Sequence, residues 1–131
     1  MATYRKLLKN RNGDIIIPVT DLMSDFSTSE INTGCHWIDG KTIYKRTISW
    51  GYMPNATRAD KTYSWLVNAK VIKIDAAAMT DTAYHAMPYT SATGDYDTVF
   101  FADSTAGKIS VATSTNRSTW QAYITVYYTK P

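Results

Sequence analysis

The residues of this chain that could carry chemistry are few and scattered. Asp95 and Asp97 stand two positions apart, which places both on one face of a strand. Two facing carboxylates are what hydrolysis of a glycosidic bond requires. Flanking Gly94, however, the pair more simply shapes a loop. Together with Asp103 they also offer oxygen ligands for calcium, although their spacing lacks the full pattern of an EF-hand. His36 and His85 are far apart, and no HExxH or paired CxxC accompanies them. Cys35 and His36 are a nucleophile and a base by type, but neighbours on a strand point to opposite faces and would not meet. No serine stands in a G-x-S-x-G elbow. Neither an enzyme nor a bound metal or cofactor is expected from these residues.

Recognition is better served. Tyr52, Tyr63, Trp65, Tyr84, Tyr89 and Tyr96 fall in segments that read as loops or strand ends. Flat rings presented beside Asn, Asp and Thr suit a sugar, which has apolar faces and hydrogen-bonding edges. Tyr52, Trp65, Tyr89 and Tyr96 are the candidate ligand contacts. The competing reading is that such rings cover the ends of the fold or pack between subunits.

The elements that would position these residues are strands. Threonine and tyrosine abound, Glu30 is the sole glutamate, and helix-favouring side chains are scarce. From Thr119 to Lys130, Trp120, Ala122, Ile124, Val126 and Tyr128 alternate with Gln121, Tyr123, Thr125, Tyr127 and Thr129, which predicts a long strand. Earlier strands are expected at Asp14–Val19, His36–Ile38, Lys41–Trp50, Val67–Asp75, Asp97–Ala102 and Gly107–Thr113. Turn signals lie between them, among them Asn12-Gly13, Met53-Pro54-Asn55 and Ala92-Thr93-Gly94-Asp95. Trp37-Ile38-Asp39-Gly40-Lys41 and Ile43-Tyr44 form two aromatic-bearing arms around Asp39-Gly40, a pair suited to the positive φ angles of a type I′ turn. Trp37 and Tyr44 are expected to pair across that hairpin. A helical turn capped by Asp75 is expected at Ala76–Met79. Short strands with regularly placed turns argue for an all-β fold, an antiparallel sandwich of jelly-roll type.

At 131 residues the chain is long enough for one core. Its 14 basic and 11 acidic residues leave a formal charge of +3, with no basic stripe of the kind nucleic-acid binding needs. No apolar run approaches the roughly 20 residues of a membrane helix, and the opening residues lack the apolar length of a signal peptide. Cys35 has no second cysteine for an intrachain disulfide, so stability must come from packing or association. Tyr4 to Thr20 reads as a small hairpin turning at Asn10–Gly13, with Pro18 restricting its second arm to an edge or strand end. Asp21 to Ser29 reads as a polar linker. The expected division is an arm over residues 1–25 and a sandwich over 26–131. Arg5, Lys6, Lys9 and Arg11 give the arm a basic face suited to docking on an acidic partner.

The motifs, in order, resemble a module of bacteriophage structural proteins found in tail fibres, receptor-binding proteins and head fibres. The resemblance runs from Leu8-Lys9-Asn10-Arg11-Asn12-Gly13 through Pro18-Val19-Thr20 to Trp37-Ile38-Asp39-Gly40-Lys41 with Ile43-Tyr44-Lys45-Arg46. It continues through Gly51-Tyr52-Met53-Pro54-Asn55, Met87-Pro88-Tyr89 and Asn116-Arg117-Ser118 to the terminal Ala122–Lys130 strand. Cys35-His36 and the Ala76–Ala78 run depart from it. What the resemblance implies is a non-enzymatic virion component, assembled in the bacterial host cytoplasm as a homotrimer. It would be bound to other virion proteins of the capsid, portal or tail and would contact a host-surface glycan or receptor, with no nucleic-acid or membrane partner. Trp37, Asp39, Gly40, Lys41 and Tyr44 serve in it as a structural hairpin signature. The alternatives are a decoration protein without receptor binding and, less favoured, a depolymerase or lysin.

Overall fold

The strictest alternation in the sequence becomes the central strand of the molecule. The computed structural model describes residues 26–131 in full, preceded by the backbone of Leu7–Lys9 and Ile15–Pro18. In chain order the strands are β1 (Leu7–Lys9), β2 (Ile15–Pro18), β3 (Ile31–His36), β4 (Thr42–Tyr52), β5 (Arg58–Thr62), β6 (Lys70–Met79), β7 (Tyr84–Met87), β8 (Tyr89–Thr90), β9 (Tyr96–Asp103), β10 (Lys108–Thr113) and β11 (Gln121–Thr129). One turn of 3-10 helix, Ser64–Leu66, precedes β6. β11 lies third in a five-stranded sheet ordered β3-β4-β11-β6-β7, and a four-stranded sheet ordered β5-β10-β9-β8 faces it. All pairings are antiparallel, and β1 and β2 form the small N-terminal hairpin. The expected sandwich is the fold. The turn of the hairpin and the side chains of Arg5, Lys6, Lys9 and Arg11 lie outside the described residues.

Period-two geometry decides what is buried. Ala122, Ile124, Val126 and Tyr128 on β11 are all fully buried, and so are Ile109 and Val111 on β10. Ile48, Trp50, Ala76 and Ala78 complete the layer between the sheets, while Leu66, Met53 and Met87 plug its ends. Each large aliphatic side chain so enclosed contributes on the order of 1.5–3 kcal/mol.

Four expectations fail, each for a physical reason. Ala76–Met79 is strand, because its register with Ile124–Gln121 on one side and Met87–Tyr84 on the other supplies ladder partners that outweigh alanine's helical preference. His36–Ile38 is not a strand. β3 ends at His36, and Trp37 begins the turn.

That turn is not type I′ either. Gly40 N–H donates to Trp37 O at 2.9 Å, so Ile38 and Asp39 occupy its centre, and Gly40 alone has positive φ, +86°. This is a three-residue hairpin loop, a type I turn closed by a left-handed glycine. Asp39 Oδ1 accepts the Lys41 N–H at 3.0 Å and fixes the turn. Nor do Trp37 and Tyr44 pair: Tyr44 lies opposite Asn32, and its ring meets Tyr128 at 6.1 Å.

Candidate functional site

Two aromatic and polar clusters form at the end of the sandwich where β11 begins, one inside and one outside. The inner cluster is built on Asp97. Its alternation with Val99 and Phe101 aims it between the sheets, where it is fully buried. A buried carboxylate needs a charged partner. Arg117, on the connection between β10 and β11, supplies one, its Nε donating to both carboxylate oxygens at 2.9 and 3.2 Å. From β7, His85 brings Nε2 to 2.7 Å from Asp97 Oδ2, at an angle too poor for a hydrogen bond, so the contact is one of proximity. His85 stacks on Tyr89 with centroids 4.1 Å apart and planes at 11°, and leans on Trp120 at 4.8 Å. The Arg117 guanidinium lies 5.2 Å from the Trp120 ring and 5.9 Å from that of Tyr89. The knot ties β7 of one sheet to β8 and β9 of the other. With Asp97 turned inward and Asp103 accepting from Thr105 at 2.9 Å, the three aspartates do not converge on a calcium site. Among the described residues no three His, Cys, Asp or Glu side chains come together.

The outer cluster depends on a bulge. On β4, Ile48 and Trp50 face inward, so strict alternation would turn Tyr52 inward too. The register with β11 slips between Ala122 and Tyr123, pairing Ala122 with Gly51 and Tyr123 with Ser49. Gly51, at φ +92°, absorbs the extra residue. The side-chain sequence flips: Tyr52 is 65% exposed and Met53 is buried at 2%. Tyr52 then shares the outer face of the five-stranded sheet with its partner Gln121 and with Tyr123.

The β6–β7 hairpin closes the far side of the resulting cleft. Thr80 Oγ1 accepts from Ala83 N–H at 3.0 Å and from Thr82 N–H at 3.3 Å, which sets that turn. The cleft measures about 610 Å³ and is lined by Tyr52, Met79, Thr80, Asp81, Thr82, Thr119, Gln121 and Tyr123. Tyr123 donates its hydroxyl to Gln121 Oε1 at 3.1 Å, so ring and amide are held in one orientation. A shallower hollow of about 380 Å³ adjoins it across Tyr123, with Ala76, Ala77 and Tyr84 in its lining.

Of the aromatic residues singled out as ligand contacts, Tyr52 alone reaches this cleft. Tyr89 is built into the Asp97 knot. Tyr96 is 46% exposed at the start of β9, its N–H donating to Ser114 Oγ at 2.7 Å. Trp65 packs at the opposite end against Tyr63 and Tyr128, with the Arg46 guanidinium 4.8 Å from its ring. At that end Trp37 stands under the Lys70 ammonium at 5.6 Å, and Lys41 Nζ reaches Lys130 O at 3.5 Å.

Glu30 organises the same end. It accepts from the Tyr128 hydroxyl and pairs with Lys130 at 2.9 Å. Burial alone would raise its carboxyl, but the hydrogen bonds from Tyr128 and Lys130 outweigh burial and hold it below its ordinary value. Burial, reinforced by the Glu30 hydrogen bond, pushes the Tyr128 phenol well above its own.

Several of the fibre-like motifs meet in space. Asn55 of the Gly51–Asn55 segment bridges to Asn116, and Pro54 O accepts from both the Arg117 N–H and the Thr113 hydroxyl. Tyr89 lies beside Arg117. No protein-family model, curated protein or solved structure matches the chain.

Proposed function

We propose that this protein is a non-enzymatic bacteriophage virion component, a small fibre or adhesin module that attaches to the particle and binds a host-surface glycan. The observation that carries the binding half is the Tyr52–Tyr123 cleft. A 65% exposed tyrosine, a second ring held by Gln121, and the Thr80, Asp81, Thr82 and Thr119 side chains surround one open hollow. Rings stack on the apolar face of a sugar while hydroxyl, amide and carboxylate groups meet its edges.

The virion half rests on the fibre-like order of motifs, and the homotrimer belongs to the same reading. Light scattering of the intact chain should then give three times 14.7 kDa. Particles labelled with antibody against the chain should show it at the surface, and the purified protein should adsorb to host cells in a way that Tyr52→Ala abolishes. Labelled particles combined with unchanged adsorption by Tyr52→Ala would leave a decoration protein, and unlabelled particles would remove the virion assignment.

A further inference from the structure

Charge and length distinguish the kinds of glycan this surface could take. The cleft contains one ionisable carboxylate, Asp81, and none of its lining residues is a lysine, arginine or histidine. The adjoining hollow is similar: Asp75 is its charged residue, and Lys73 already engages Asp75 at 3.2 Å. An anionic ligand would bring its charge against Asp81 with no cation to receive it, whereas a neutral sugar meets acceptors and hydroxyls it can bond.

The two hollows also share Tyr123 and lie on one sheet face, the first around Gln121 and the second reaching Thr125. Tyr52 and Tyr84 stand in one cross-strand row through Gln121 and Met79, three strand spacings or about 14 Å apart. A single sugar cannot span that distance, and about three linked rings do. Tyr52 borders one end of this track, Tyr123 its middle and Tyr84, 67% exposed, its far end. The flat floor between them comes from Ala77, opposite Tyr123, whose small side chain leaves the backbone surface open to a ring.

We infer that the site takes an uncharged oligosaccharide of about three or more sugars, laid across the strands from the Tyr52 cleft on β4 past Tyr123 on β11 to Tyr84 on β7. This rests on the glycan-binding reading above and adds the ligand's charge and length to it. Tyr84 and Ala77 become the far subsite and Asp81 the element that rejects acids.

The test is the intact chain on an array of bacterial-type glycans graded from monosaccharides to octasaccharides, in neutral, uronate-containing and sulfated series. Binding is expected in the neutral series, rising at least tenfold between one sugar and four, with the acidic series of equal length silent. Tyr84→Ala should lower affinity for the tetrasaccharide about tenfold and leave the disaccharide unchanged. Asp81→Lys, at an exposed turn position, should admit uronate chains. Equal or stronger binding of acidic chains, or affinity independent of length, overturns this inference while leaving glycan binding itself intact. Silence across all series, or capture of peptides alone, overturns the glycan reading and this inference with it.

Discussion

The Asp97 knot and the Tyr52 cleft are made from the same kinds of residue and sit back to back on the first residues of β11. Trp120 faces the knot, while Thr119 and Gln121 line the cleft. Inside, the carboxylate is enclosed: Arg117 holds both its oxygens, His85 crowds one, and Tyr89 and Trp120 close over the guanidinium. Outside, Asp81 and the Tyr52 ring stand exposed, and the residues that fix the cleft bond to one another rather than fill it. What separates structure from function here is satisfaction. In the knot Arg117 holds both carboxylate oxygens and the rings pack on one another, while the cleft leaves its polar groups open. The knot also fixes the connection from which Thr119 and Gln121 enter the cleft floor.

The largest expected effect tests the closed side. Asp97→Ala strands the Arg117 charge in a desolvated site, a change that costs about 3–5 kcal/mol. The urea midpoint should fall sharply with the slope unchanged. A variant as stable as the parent would mean that Arg117 reaches solvent and that the knot is not closed.

The next effect lies on the boundary between the two regions. Gly51→Ala puts a side chain at φ +92°, where no atom lies within 4 Å of the added Cβ, so the cost is conformational, about 1–2 kcal/mol. Relief of that strain would undo the bulge and turn Tyr52 away. Lost stability together with lost glycan affinity is expected, and unchanged affinity would break the link between bulge and cleft.

A third effect shows in pH. Glu30 has a folded-state carboxyl below its ordinary value, so it binds protons more readily unfolded than folded. Its stabilising contribution is complete above that ordinary value and is lost as pH falls through the folded one. Glu30→Gln should therefore be less stable than the parent at neutral pH and should converge with it in acid. A difference that persists at low pH would assign the effect to packing. Because Glu30 lies at the opposite end of β11, the variant should bind glycan normally.

The smallest effect on stability is expected from Tyr52→Ala. At 65% exposure the ring contributes little to folding, within about 0.5 kcal/mol. Differential scanning calorimetry of this variant beside Asp97→Ala gives the sharpest contrast between cleft and knot. A large loss from Tyr52→Ala would make that ring part of the core.

Much of the sandwich was legible because alternation is a local signal. The Thr119–Lys130 pattern names both faces of β11 correctly, and the β9 and β10 strands lie where β-branched runs stand between turn residues. β3 and β5 were missed because Asn32 and Gly34, and Arg58, Asp60 and Lys61, are poor strand formers at sheet edges, held by a single neighbour. Ala76–Met79 misled for the opposite reason, local preference yielding to two flanking strands.

The cleft was nearly invisible. It assembles residues near positions 52, 80 and 120, and the bulge that delivers Tyr52 exists only in register with β11. One signal was present: Gln121 and Tyr123 occupy the outward set of the clearest alternation in the chain. Asp97 was readable in the same way, being in phase with Val99 and Phe101, yet its proximity to Gly94 drew attention to loops instead.

The central claim is that ligand binds on the open face and leaves the knot untouched. Amide and side-chain NMR of the isotope-labelled intact chain, titrated with a pool of neutral tetrasaccharides, addresses it directly. The account predicts saturable shifts confined to Tyr52, Thr80–Thr82, Gln121, Tyr123 and Tyr84, with His85, Tyr89 and Arg117 unmoved. Shifts centred on His85, Tyr89 and Arg117, or none anywhere, would contradict it.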